Sequence, residues 1–183
     1  MITIPVDSEI QLRQPMECDA EELFRQVDAN RLYLRQWLPW LDLNLSAADS
    51  LRFIKDTHED YLSSQAIVFI ILNKREIIGV IELQNIDAVN RKASIGYWLA
   101  AHWAGKGVMP KVCKKIIAWC FEELLLNRVE IKVACGNKRS EAIPVKLGFH
   151  YEGILRQGEW LYDHFVDLKL YSLLQSEYPS INK

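Results

Sequence analysis

The stretch ASIGYWLAAHWAGKGVMPKVCKKIIAWCFEEL, residues 93–124, decides the reading of the fold. Its opening ASIGYWL is a β-type run. Beyond a glycine-rich turn, Met109, Val112, Cys113, Ile116, Ile117, Cys120, Phe121 and Leu124 recur at the three-and-four spacing of one helix face. Pro110 is tolerated only in a first turn, so it fixes where this helix begins. A strand that enters a strong helix through Ala-Gly-Lys-Gly can point the backbone N–H groups of Gly105, Lys106, Gly107 and Val108 at an anion held over the positive end of the helix. The turn is not a Walker loop, because GxxxxGK[ST] is absent, and Pro110 stands where GxGxxG needs its third glycine.

Working outward, AIVFIIL (66–72) and IIGVIEL (77–83) precede this stretch, and the short connections NKRE and NIDAVNRK make the three runs antiparallel neighbours. Towards the N-terminus, Glu9 to Arg13 alternates like a short strand. Asp19 offers an N-cap to one helix, AEELFRQVDANRLYLRQW, with Leu23, Phe24, Val27 and Leu34 on a face, and Pro39 ends or interrupts it. Ser46 or Asp49 caps a second helix whose face is Leu51, Ile54, His58, Tyr61 and Leu62. Towards the C-terminus come a strand RVEIKVAC, a short helix opening near Asn137 to Ser140 and closing at Gly148, and two strands around YEGILRQGEW and HFVDLKLYSLL. The order is β, α, α, β, β, β, α, β, α, β, β.

The chain has 183 residues, 50% hydrophobic and 25% charged, which fits a single domain over 1–183 with its own core. Twenty-two Lys and Arg against 24 Asp and Glu leave a net charge of −2, which argues against a general nucleic-acid binder. MITIPVDSEI lacks a charged n-region and a long apolar h-region, and the run from Ala66 to Leu72 is far short of the roughly 20 residues of a membrane helix. A cytoplasmic protein without membrane attachment is expected. Cys18, Cys113, Cys120 and Cys135 form no CxxC pair and the four histidines are isolated, so neither a disulfide framework nor a metal site is indicated.

WLPWL (37–41), GYWL (96–99), GKGVM (105–109), NKRS (137–140) with KLGF and EG, and DLKLYSLL (167–174) together resemble the GNAT superfamily of N-acetyltransferases, in its RimJ/RimL-type, ribosomal-protein N-acetyltransferase branch. The resemblance spans nearly the whole chain. It implies an α/β (α+β) fold, a mixed and mostly antiparallel sheet with helices on both faces, and acetyl-CoA lying where the strand ASIGYWL splays from RVEIKVAC. Tyr97, Trp98, Leu99, Gly105, Lys106, Gly107, Val108, Met109, Asn137 and Ser140 then become the cofactor-binding set. Ala104 departs from the usual Gln or Arg and Met109 from the last place of [QR]xxGx[GA]. That touches affinity but leaves the backbone cradle intact. Helix capping is an equal reading of Asn137 and Ser140.

Direct transfer from acetyl-CoA to a primary amine needs a neutral amine, a donor for the oxyanion and a proton for the leaving thiolate. Relatives often carry Glu where this chain has Ser94 and Tyr where it has Pro144. If residue 84 pairs with 94, Glu82, Gln84, Ser94 and Gly96 share one strand face, making Glu82 the base candidate, against the plainer reading of a solvated strand glutamate. The resemblance makes Ser140 the group that protonates or holds the thiolate. Cys135 as an acyl carrier is rejected, since no histidine lies near it in sequence. WLPWL borders the acceptor groove in relatives, which makes Trp37 and Trp40, with Ser94, candidate substrate contacts, and puts the hairpin near Trp160, Tyr162 and His164 opposite. The expected acceptor is the α-amine of a protein N-terminus, with a ribosomal protein as the partner the resemblance implies. A polyamine, an aminoglycoside or amino-acid analogue, a catalytically silent CoA-binding protein, and assembly as a homodimer stay open.

Overall fold

A computed structural model describes residues 1–178. They form two compact units, one of residues 1–83 and 97–108, the other of residues 84–96 and 109 onward.

In the first unit, β1 (Thr3–Pro5) and β2 (Ile10–Arg13) form an antiparallel hairpin, with Ile4 opposite Leu12. β1 adds a strand to the sequence-based order; at three residues it is too short for periodicity to reveal. The expected single first helix is two, α1 (Ala20–Ala29) and α2 (Arg31–Leu34), divided at Asn30, and the chain then enters a 3-10 turn at Pro39–Leu43 with Pro39 in its first position. Asp19 does not cap α1 with its side chain. Its carboxylate is taken by a two-point ion pair with Arg13 (2.8 and 2.9 Å) and by the N–H of Met16 (2.6 Å).

Ser46 does cap α3 (Ala47–Leu62), accepting from the N–H of Asp49, and the Asp49 carboxylate accepts in return from the Ser46 hydroxyl and the Leu45 N–H. The buried face of α3 is rotated from the one expected. Ser50, Ile54 and Thr57, at i, i+4 and i+7, point inward, while Tyr61 and Leu62 are exposed. The two hydroxyls tolerate burial because Ser50 exchanges hydrogen bonds with Asn44 and Thr57 donates to the Ile54 carbonyl at 2.7 Å.

β3 (Ile67–Asn73) and β4 (Glu76–Asp87) are joined by the two-residue turn Lys74–Arg75. Successive side chains of a strand point to opposite faces, and every residue from Ile67 to Leu72 is buried, so both faces of the sheet are covered at β3. One face packs Val68, Ile70, Leu72, Ile77, Val80 and Trp98 with Leu23, Val27, Leu34, Leu41 and Ile54 of the helical segments. β5 (Lys92–Leu99) closes the unit through its last residues.

In the second unit the start of β5 runs parallel to β6 (Arg128–Ala134), as expected of two strands joined by a helical crossover, here α4 (Val108–Glu122). Their ladder is only three residues deep, from Lys92 with Arg128 to Ser94 with Glu130. Val112, Cys113, Ile116, Ile117, Cys120 and Phe121 of α4 are all buried, as the spacing requires. α5 (Lys138–Lys146) leads into β7 (His150–Leu161) and β8 (His164–Leu174), an antiparallel hairpin whose second strand pairs through Leu168–Leu174 with all of β6. β7 is exposed on both faces over most of its length, and its pairing is interrupted at residues 151–153 and 155–159. The strand order is β1-β2-β3-β4-β5-β6-β8-β7 in one mixed, mostly antiparallel eight-stranded sheet, with β4 and β5 running through both units.

Gly79 in β4 is a requirement of close approach rather than of backbone angle. A Cβ there would lie 2.3 Å from the carbonyl oxygen of Trp98 and 3.0 Å from the Cα of Leu99, both backbone atoms that cannot swing away. Gly79→Ala is therefore expected to cost about 1–3 kcal/mol and lower the Tm by several degrees. A thermal melt of the variant equal to that of the unmodified chain would show that β4 and β5 part without cost.

Candidate active site

The glycine-rich turn lies between a 3-10 turn at Ala101–Trp103 and α4. Gly105 and Gly107 have φ of +79° and +77°, the left-handed region that side chains rarely enter. A Cβ built on either meets nothing within 4 Å, so the glycines leave an open face. Among the described residues, no protein acceptor takes the N–H groups of Gly105, Lys106 and Gly107. These donors precede a 15-residue helix with no acidic side chain in its first turn. Pro110 in that turn removes a donor that would have needed a partner, and Val108 and Met109, which follow the glycines, are buried. The Lys106 ammonium sits over the Trp103 ring, 5.0 Å from its centroid. The combination fits a phosphate group on donor type, dipole direction and space.

Of the strand residues expected beside this turn, Trp98 and Leu99 are buried, and Trp98 packs against Trp40 with ring centroids 6.4 Å apart. Their side chains serve the core, so the strand end offers a ligand mainly backbone. Tyr97 is half-buried. The segment carrying Trp37 and Trp40 is held by two arginines. Arg31 donates to the carbonyls of Leu41 and Asn44, each at 2.7 Å, and Arg35 makes a two-point pair with Asp42 at 2.7 and 2.9 Å.

In the second unit, Asn137 caps α5, its side-chain oxygen accepting from the N–H of Ser140 at 3.2 Å. The capping reading of Asn137 thus holds; Ser140 is half-buried in the first turn it creates. Beside Ser140, Glu141 accepts from Lys169 Nζ at 2.6 Å and Tyr171 Oη at 2.7 Å. These bonds, led by Lys169, hold the Glu141 carboxyl below its usual range. Tyr171 is pushed up to about 12, first by burial and then by donating to that carboxylate. The first turn of α5 is thereby tied to β8. Ser94 is buried at the end of the β5–β6 ladder. Cys113 and Cys120 are buried thiols whose pKa burial raises, and Cys135 lies half-buried at the end of β6. All four cysteines are free, and the described residues contain no group of three His, Cys, Asp or Glu able to hold a metal.

Two carboxylates stand apart. Glu82 in β4 is half-buried, and its carboxylate makes no hydrogen bond or ion pair among the described residues; burial, and then the nearby charge of Asp60, raises its pKa. Glu159 in β7 is also half-buried, its carboxylate has no partner among the described residues, and burial raises its pKa too. Glu159 was missed in the sequence, where an acid between Gly158 and Trp160 on a mostly polar strand carries no periodic signal.

Residues 9–150 match the Acetyltransferase (GNAT) domain. The chain belongs to that family. It is 40% identical over 180 residues to YdaF of Bacillus subtilis (strain 168), covering 97% of this chain and 98% of the relative. Among solved structures, it resembles the microcin C7 self-immunity acetyltransferase MccE in complex with acetyl-CoA and AMP, with a TM-score of 0.89 and 32% identity over 92% of this chain and 94% of that one. It also resembles RimL, the ribosomal L7/L12 alpha-N-protein acetyltransferase in complex with coenzyme A, with a TM-score of 0.90 and 25% identity over 94% and 98% of the two chains. The protein is therefore a GNAT N-acetyltransferase similar to the ribosomal-protein enzymes.

The unpaired state of Glu82 has a measurable consequence. A carboxyl whose pKa is raised in the folded state favours folding while protonated, and that contribution is lost as pH rises through the folded value. At neutral pH the ionised Glu82 thus works against the fold. Glu82→Gln is expected to raise the Tm at pH 7 by a degree or more, with the gap closing near pH 4, where both side chains are neutral. A lower Tm at pH 7 would show that the carboxylate is stabilised by its surroundings.

Proposed function

We propose that this acetyltransferase moves the acetyl group of acetyl-CoA directly to the α-amine of a protein N-terminus, with ribosomal proteins as the acceptor class. The observation that carries the acetyl-CoA reading is the turn at Gly105–Gly107, with three N–H donors unclaimed among the described residues, two left-handed glycines and an open face at the start of α4. The pyrophosphate rests on these donors and on those of Val108 and Met109, while Lys106 adds charge at the rim. The bound coenzymes of MccE and RimL support the same assignment. The name of RimL supports the acceptor class.

In this reading the amine nitrogen attacks the thioester carbon, and the carbon–sulfur bond breaks. The amine gives up one proton to a carboxylate, and the departing thiolate gains one. Ser140 holds the thiolate by its hydroxyl and passes it a proton that solvent restores. Glu82 is the first candidate for the base and Glu159 the second, because each is a carboxylate kept from other partners with a pKa moved toward the working pH. The modest base set favours an α-amine. Its pKa is about 7.7–8.0 against about 10.4 for lysine, so freeing a lysine costs roughly 3.5 kcal/mol more at neutral pH.

Gly107→Val, which strains the left-handed position and fills the open face, is expected to weaken acetyl-CoA binding at least about tenfold in calorimetry. Unchanged affinity would remove the turn from the site. Ser140→Ala should lower kcat about tenfold or more while leaving acetyl-CoA affinity within about threefold. A rise in KM alone would return Ser140 to a role in binding. For the acceptor, matched peptides with free and blocked N-termini are compared by thiol release and mass spectrometry. Acetylation confined to the free α-amine supports the reading, whereas equal modification of an internal lysine, or faster turnover of a polyamine or an aminoacyl nucleotide, overturns it. Of the two carboxylates, the variant to glutamine that flattens the rise of kcat/KM with pH identifies the base.

A further inference from the structure

We infer that Asn30, at the break between α1 and α2, is a positioning residue for the acetyl-CoA turn, acting as a remote cap on the 3-10 turn that precedes it; this rests on the acetyl-CoA reading of Gly105–Gly107. Asn30 is buried, 9% exposed, an uncommon place for an amide unless both of its ends are used. Its Nδ2 donates to the carbonyl of Gln26 one helical turn back, and its Oδ1 accepts from the N–H of Ala101, both at 2.8 Å. The second bond spans 71 residues of sequence. The 3-10 turn Ala101–Trp103 has no side-chain cap of its own, since the residue before it is Ala100. Trp103 and Ala104 donate to the carbonyls of Ala100 and Ala101, so the Ala101 N–H is one of the donors at the start of the turn that the turn itself does not satisfy. Asn30 takes it.

The consequence is geometric. The Ala101 N–H, the 3-10 turn and the positive-φ residues Gly105 and Gly107 follow one another within seven residues, with no other side chain hydrogen-bonded to the backbone from 100 to 107 among the described residues. The approach to these donors is thus fixed on one side by α4 and on the other by two bonds, that of the Ala100 N–H to the Ile78 carbonyl at 2.8 Å and that of the Ala101 N–H to Asn30. The helix break is explained as well. A residue that continued the helix through position 30 would keep its side chain on the α1 surface, whereas the observed φ of −112° and ψ of 10° let the amide serve Gln26 and Ala101 together. Arg31, next along, turns the other way to the carbonyls of Leu41 and Asn44, so it does not touch the turn.

The two bonds can be separated. Asn30→Leu removes both, while Asn30→Asp keeps the oxygen that accepts from Ala101 and loses the donor to Gln26. The full chain and both variants are titrated with acetyl-CoA by calorimetry and melted in its absence. Both variants should melt lower than the unmodified protein. Asn30→Leu should bind acetyl-CoA about tenfold or more weakly, and Asn30→Asp should keep the affinity within about threefold despite its lowered Tm. That dissociation between affinity and stability is what a merely structural role would not produce. If Asn30→Leu binds as tightly as the unmodified chain, or if affinity falls in step with Tm in both variants, Asn30 does not position the turn. If Asn30→Leu fails to fold, Asn30→Ser, which is shorter but retains an acceptor oxygen, is paired with Asn30→Ala, and equal affinities in that pair overturn the inference. Absence of acetyl-CoA binding by the unmodified chain would instead sink the reading of the turn itself.

Discussion

Three backbone N–H groups without a protein acceptor among the described residues, on Gly105, Lys106 and Gly107, set the terms for the rest of the site. Backbone donors normally find a partner, and leaving them unclaimed is tolerable only where water or a ligand can take them. Holding them in place requires a long helix behind, left-handed glycines within and a fixed approach in front. α4 with its buried face supplies the first, Gly105 and Gly107 the second, and the Asn30-anchored turn at Ala101–Trp103 the third. Little of this depends on side-chain charge, which is why Ala104, in the place of a usual Gln or Arg, leaves the donor set intact.

The same preference for holding groups ready rather than satisfied recurs in the carboxylates. Glu141 and Glu152 are fully engaged, the first by Lys169 and Tyr171, the second by Arg128 and Ser172, and Glu152 is held down to about 2 chiefly by the Arg128 guanidinium. The carboxylates of Glu82 and Glu159 have no partner among the described residues and are moved the opposite way by burial. The engaged pair fastens β7 and α5 to their neighbours, whereas burial disfavours the ionised form of the other two.

What the sequence made legible follows from how local the governing signal is. β3, β4, β5 and α4 were readable because continuous apolar runs and three-and-four spacing are properties of a dozen neighbouring residues. The Ser46 cap and the Asn137 cap were readable for the same reason. The break at Asn30 was not, because the helix pattern runs on through it and the partner that decides its conformation is Ala101, 71 residues away. Asp19 looked like a cap until Arg13 claimed its carboxylate, and the face of α3 was misplaced because Ser50 and Thr57 are polar by type yet internally satisfied. In the candidate site, the glycine turn, Asn137 and Ser140 carried motif signals, whereas Glu159 became visible only through its burial without a partner.

β7 ends the sheet, and a strand at an edge offers its free backbone groups to any other chain that comes alongside. Twelve residues with Tyr151, Ile154, Leu155 and Trp160 exposed would ordinarily invite that. The interruptions at 151–153 and 155–159, with Gln157 in the left-handed region and bonded to Asp167, leave paired stretches of at most three residues, His150–Tyr151, Gly153–Leu155 and Glu159–Leu161. No stretch is long enough to template a foreign strand, and Glu152, Arg156 and Glu159 set charges among them. Bulges of this kind bend and twist an edge strand, which works against the edge-to-edge growth that begins aggregation.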